Sequence, residues 1–311
     1  MKKFWNFLKQ HLREDFNAGH YSIVAIFLAG SIYLNYKLDF EDSILDSKTG
    51  FDKLLHYFIF YAAAYYFASL SYLFFNKKLY ILVERDFWIK SLLAVFLLSF
   101  DSSAPYLLDL VNSFVDPAVQ FWVFKISINM MSFFVIVLPL VLFYKFYEKE
   151  SKNCYGLTNF KFDFTPYVTM LLIMIPIIAL VSFEKSFLKQ YPMYRSSGAH
   201  IHMGVGEWVT ASIYEFAYAL DFITVEYLFR GFMVVAMIST LGRGAVLSMA
   251  VAYCFLHFGK PPVEAISSIF GGYILGVIAY ETKSIWGGVT VHMGIALSME
   301  LAAWLQKTLN V

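Results

Sequence analysis

TPYVTMLLIMIPIIALVSFE, residues 165–184, carries no charged side chain before Glu184. A helix that crosses a bilayer needs about 20 consecutive, mostly apolar residues. In lipid its backbone amides find partners only within a helix. A stretch of this length and purity is therefore a membrane span. The same rule, applied outward, gives candidate spans near residues 20–36, 55–75, 88–111 and 119–146 before it, and near 208–239, 244–258, 262–281 and 285–306 after it. Two of these are short enough to be buried among neighbouring helices instead of facing lipid. The fold class is all-α, a polytopic transmembrane helix bundle of about eight or nine spans.

Composition leaves no room for a soluble alternative. Of 311 residues, 59% are hydrophobic and 15% charged, against roughly 45–50% and 25% in soluble domains. With 24 Lys+Arg against 23 Asp+Glu, there is no basic field for nucleic acid, which is not an expected partner. The 33 Phe and 22 Tyr suit lipid contact and interfacial belts. Cys154 sits in a polar connector and Cys254 in an apolar run, so each is expected as a free thiol.

Residues 1–20 start with Lys2 and Lys3, but Glu14 and Asp15 precede the apolar run and no small-residue cleavage site follows, so the segment is expected to be retained. Phe4, Trp5, Phe7, Leu8 and Leu12 form an apolar stripe opposite Lys2, Lys3, Lys9 and Arg13, the pattern of an amphipathic helix on the cytoplasmic surface. Short loops rich in Lys and Arg stay cytoplasmic. Lys77, Lys78, Arg85, Lys145, Lys149, Lys152, Arg243 and Lys283 all fall on the side of the amino terminus. Asp39, Glu41, Asp42, Asp46, Asp52, Asp101, Asp109 and Asp116 fall opposite. The expected divisions are an amphipathic helix at 1–20, amino-terminal transmembrane helices at 21–148, a connector at 149–164 and a second transmembrane domain at 165–311.

An ionisable side chain within a span is costly and is a candidate for function. DFITVEYLFRGFM, residues 221–233, places Glu226 and Arg230 one turn apart on one face, near enough for an ion pair; a purely structural pair is the alternative. AVAYCFLHFGKPP presents His257 at a helix end, and SIWGGVTVHMGIALSME presents His292 at mid-span. A histidine alone in a core is commonly a satisfied packing residue, but polar groups from three consecutive spans can converge in the middle of a bundle.

These residues, in this order and spacing, resemble the CAAX-protease and bacteriocin-processing membrane peptidases, also described as lysostaphin-resistance-protein-A-like or abortive-infection proteins. The resemblance covers about the last 145 residues. Family members carry two adjacent glutamates with an arginine four residues after the second, then Phe-x-x-x-His, then His-x-x-x-Asn or Asp. Glu226 with Phe229-Arg230-Gly231 matches the second glutamate and the arginine, and His257 and His292 match the two histidines. Val225 stands where the first glutamate would be, Tyr253 replaces the phenylalanine, and Ala296 occupies the Asn/Asp position. His257-Phe258-Gly259-Lys260-Pro261-Pro262-Val263-Glu264 fits a single-glutamate branch. There Glu264, returned to the His257 end by the two prolines, is a possible supporting carboxylate or, more simply, a helix-start acid.

The resemblance implies a glutamate-type intramembrane endopeptidase acting on a peptide or membrane-protein substrate. In relatives these are prenylated carboxyl-terminal peptides, leader peptides or other membrane proteins. Glu226 would act as base, oriented by Arg230, with His257 holding water and His292 donating to the oxyanion. The competing readings are a catalytically silent member that binds a peptide or lipid segment, in bacteriocin immunity or as an assembly partner, and a proton-coupled transporter. Glu215 shares the face of Glu226, whereas Asp221 is expected on a polar face. His200 and His202, with Glu207 nearby, give a weak metal pattern. No HExxH motif occurs, and neither metal nor cofactor is expected. The expected location is a bacterial inner membrane, with the amino terminus in the cytoplasm.

Overall fold

The structure is a computed structural model describing residues 2–104, 106–148, 153–159 and 163–309. Among these residues every regular element is helical. We label them α1 (Lys2–Asp15), α2 (Ala18–Leu38), α3 (Gly50–Phe75), α4 (Arg85–Ser103), α5 (Leu107–Phe114), α6 (Gln120–Phe146), α7 (Thr165–Val181), α8 (Glu207–Leu241), α9 (Gly244–Phe255), α10 (Pro262–Thr282) and α11 (Trp286–Leu309). Among the described residues, seven stretches are long and apolar enough to cross a membrane: α2, α3, α4 with α5, α6, α8, α10 and α11. The chain is an integral membrane protein built as a polytopic helical bundle.

Two apolar helices are shorter. The 17-residue α7 fully buries only Tyr167 and Ile178; it packs on α11, with Leu171 against Gly294, and leaves its outer face exposed. The 12-residue α9 is buried at every position. At 1.5 Å per residue it rises about 18 Å, well short of the roughly 30 Å hydrocarbon core. Gly244, Ala245, Ser248, Ala250 and Ala252 keep it thin enough for α3 and α10 to close around it. A single apolar cluster joins the halves, with Tyr61, Ala64, Tyr65 and Ala68 of α3 packed in the same core as Met249, Val251 and Phe255 of α9.

The connector is less of a free joint than its polarity suggests. Cys154, Tyr155 and Gly156 are buried, Cys154 Sγ lies 3.2 Å from Tyr227 Oη, and Asn159 Nδ2 donates to Thr282 O and Lys283 O at 3.1 and 3.2 Å. Both cysteines are free thiols. Lys149 and Lys152, counted above in the charge asymmetry, lie outside the described residues, as do 150–151 and 160–162 of the connector.

Helix α1 turns Phe4, with Phe7 and Leu8 half-buried beside it, toward the core and extends that line with polar residues. Phe4, His11 and Asp15 are buried, while Trp5 is 59% and Leu12 41% exposed. The helix packs on α10, and His11 is edge-on to Tyr273 and Tyr280, with ring centroids at 5.7 and 5.5 Å. Arg243 pairs with Glu14 and, at 2.8 Å, with Glu281. The amino-terminal helix and the basic α8–α9 turn thus share one end of the bundle, and the α9–α10 loop lies at the other.

From Tyr227 to Ala236, α8 winds in wide π turns, a form often found at functional sites. The carbonyl of Ala236, where these turns end, accepts from the buried Lys90 Nζ of α4 at 3.1 Å. Lys90 also donates to Ser239 Oγ at 3.2 Å and pairs with Glu148. The amino-terminal half therefore caps the helix that carries Glu226.

Candidate active site

Glu226 is the last residue of regular α-helix in α8 before the wide turns begin. It is 0% and Arg230 1% exposed, and Arg230 Nη1 lies 3.0 Å from Glu226 Oε1. A carboxylate or guanidinium so deep is tolerated only when paired. Oε2 has no hydrogen-bond partner among the described residues. It presses on the backbone of Gly288 in α11, where a Cβ would overlap it. Any larger residue at 288 would push the carboxylate out of place.

His292, 66 positions later on α11, brings Nδ1 to 3.0 Å from the same Oε1. A carboxylate offers only acceptors, so Nδ1 is the donor. The other ring nitrogen, Nε2, lies 3.0 Å from Tyr253 Oη of α9. Tyr253 returns to the start of the circuit, since its ring lies under the Arg230 guanidinium at 4.3 Å from Cζ. Four side chains from three helices close a ring in which His292 has no free nitrogen. Phe222 packs on the imidazole at 4.6 Å between centroids.

His257 sits one turn beyond Tyr253, its ring 4.5 Å from the phenol ring. Its Nδ1 donates to the Tyr253 carbonyl at 2.8 Å, which leaves Nε2 as an acceptor. The loop after it is held by the amino-terminal half. Asn35 Nδ2 donates to Phe258 O at 3.0 Å, Tyr36 Oη donates to Lys260 O at 2.7 Å, and Gly259 leaves room for Glu41, whose Oε2 lies 2.5 Å from where a Cβ would stand.

Glu264, in the first turn of α10, accepts from Tyr191 Oη at 3.0 Å on each oxygen; it is engaged by the α7–α8 connection and not by the helix amides. Nearby, Glu300 of α11 accepts the Met193 N–H at 2.8 and 2.9 Å and faces Glu215. Glu215 therefore lies on the rim and not beside Glu226. Asp221 turns toward Asp101 of α4 and Ser132 of α6 and accepts from Thr224 Oγ1 at 2.6 Å.

The loop histidines do not assemble with Glu207; His202 Nε2 lies 4.0 Å from Asp116 Oδ2. Among the described residues, the carboxylates close enough to share a cation are Glu41, Asp42 and Asp46, between α2 and α3. Tyr57 Oη donates to Glu41 and Asp46 at 3.0 and 2.8 Å. Burial, with the charge of Asp46 next, pushes the Glu41 carboxyl up to about 7.

Two features were not visible as site residues in the sequence. The Tyr253 hydroxyl was legible only as a small departure from a phenylalanine, and Gly288 as one glycine of a pair. The signal for Tyr253 is its spacing: four before His257, it shares the face that the histidine presents.

Comparison with known proteins adds one match. Residues 199–298 match the family model described as type II CAAX prenyl endopeptidase Rce1-like. No curated protein and no solved structure matches the chain. Glu226, Arg230, Tyr253, His257, Glu264, His292 and Ala296 all lie within the matched stretch. Residues 199–298 of this membrane protein, which contain the buried ring and the loop after it, form a domain of the CAAX-protease family.

Proposed function

We propose that the chain is a glutamate-type intramembrane endopeptidase that cleaves a peptide or membrane-protein substrate at the site formed by Glu226, Arg230, His257 and His292. The observation that carries this reading is the convergence of Glu226 and His292 on one buried ring, 3.0 Å apart, across two helices. With Oε1 accepting from His292 and in ion-pair contact with Arg230, Oε2 is the unpartnered oxygen that would take a proton from water. His257 Nε2, the second acceptor, helps hold that water. Glu264 supports the rim. The basic loops support an amino terminus in the cytoplasm, which would put His257 and Glu264 toward the opposite face.

The test is cleavage of a mixed pool of membrane-protein and leader-peptide substrates by the purified full-length protein in lipid, compared with Glu226→Gln and His292→Ala. Cleavage by the wild type that is lost in both variants supports the peptidase. A wild type that cleaves nothing, yet binds a peptide and keeps binding it after Glu226→Gln, supports instead a silent family member. That second reading is favoured by Val225, which packs on the apolar core, and by the buried Ala296.

A further inference from the structure

Every ring contact of Tyr253 could be made by phenylalanine: the face under Arg230 at 4.3 Å, the edge on His257 at 4.5 Å and the packing on Phe229 at 5.0 Å. The hydroxyl is the addition, and it lies 3.0 Å from His292 Nε2. Because His292 Nδ1 is committed to Glu226 at 3.0 Å, Nε2 can reach a substrate only by losing the phenol. The group that follows His292 in the polar ring is therefore the Tyr253 hydroxyl, which also meets the Arg230 guanidinium. One turn beyond His292 on the same face of α11, Ala296 is buried and offers no donor.

We propose that the Tyr253 hydroxyl, and not an imidazole nitrogen, is the donor that meets the developing negative charge on the substrate's carbonyl oxygen. In the form of His292 that carries a hydrogen on each nitrogen, Nδ1–H donates to Glu226 and Nε2–H to the phenol oxygen. The phenol's own hydrogen is then free to donate to the carbonyl oxygen. Hydrogen bonds in such a chain polarise one another, so the last donor is the strongest. No bond to Tyr253 forms or breaks, and it acts by stabilising charge that appears only in the transition state. This inference rests on the peptidase reading above.

The experiment uses the full-length protein in lipid and a substrate from the pool that the wild type cleaves. Tyr253→Phe keeps the ring contacts and is expected to lower kcat about 10²–10³-fold, with KM within about twofold and the thermal midpoint unchanged. Adding Ala296→Asn, which places an amide donor one turn from His292, is expected to recover at least about tenfold of that loss. Wild-type kcat in Tyr253→Phe overturns the inference and leaves the peptidase reading standing. So does a raised KM at constant kcat, which makes Tyr253 a binding contact only. Loss of cleavage with a lowered thermal midpoint and no recovery from Ala296→Asn assigns the hydroxyl to packing and overturns it too. A wild type that cleaves nothing overturns both.

Discussion

Breaking the Glu226–Arg230 pair from either side is expected to cost unequal amounts of stability, and the inequality tests the ring. Both side chains are at most 1% exposed and meet at 3.0 Å. Removing one partner of such a pair leaves a buried charge uncompensated, at about 3–5 kcal/mol. In Glu226→Gln the stranded guanidinium keeps Tyr253, whose ring face at 4.3 Å is worth about 2 kcal/mol when desolvated. In Arg230→Met the stranded carboxylate keeps the His292 Nδ1–H at 3.0 Å, a directed hydrogen bond to the charged group. Glu226→Gln is thus expected to be the worse of the two. The double variant, with no charge left to strand, is expected to be more stable than Glu226→Gln alone. At about 2 °C per kcal/mol for a chain of this size, Glu226→Gln should lower the thermal midpoint by roughly 6–10 °C. The assay is unfolding of wild type, both single variants and the double in one lipid–detergent mixture. Single-variant losses that simply add in the double variant would refute the reasoning, because additivity means the two groups do not interact.

Two further outcomes follow from contacts outside the ring. Asn35→Ala and Tyr36→Phe each strand a carbonyl of the loop after His257, at about 1–3 kcal/mol where it is buried, and should speed hydrogen exchange at 257–260 while leaving α11 unchanged; equal protection in variant and wild type would disprove the clamp. Burial, then the charge of Arg243, holds His11 down at about 4. His11 is thus neutral in docked α1, and docking stability is full above the free-histidine value of about 6.5 and falls as pH drops from there through about 4. Fluorescence from Trp5 should report release of α1 over that window, and a signal flat from pH 7 to 4 would exclude it.

How far the sequence could be read depended on the range of each interaction. Span positions were legible because apolar length is a local property, and α2, α3, α6, α8, α10 and α11 each cover the stretch expected. Glu226 with Arg230 was legible because one helical turn fixes their spacing. His257 and His292 were legible in order but not in role, since nothing local indicates that both nitrogens of His292 are taken. Asn35 and Tyr36 lie more than 220 positions from the carbonyls they hold, and no periodicity links them. The line His11–Asp15 on α1 was missed because hydrophobic pattern alone points polar side chains outward, whereas here Asp15 accepts from Tyr21 Oη at 2.9 Å and His11 lies between aromatic rings.

The ring also bears on why a chain with valine before Glu226 can keep this geometry. Neighbouring positions on a helix point about 100° apart, and Val225 accordingly packs against the apolar cluster while Glu226 faces α9 and α11. The polar set is thus complete without a second carboxylate. Arg230 balances Glu226, Glu226 fixes the orientation of His292, His292 engages Tyr253, and Tyr253 shields Arg230. Each member is held from two directions by groups on other turns or helices, so the loss of any one loosens its neighbours, the behaviour expected of a hydrogen-bond network at low dielectric. Helix α9 is the rigid part of this arrangement, because it is too short to span lipid and is walled on every side. A carboxylate added at 225 would meet that apolar packing, and would destabilise the bundle unless its surroundings changed with it.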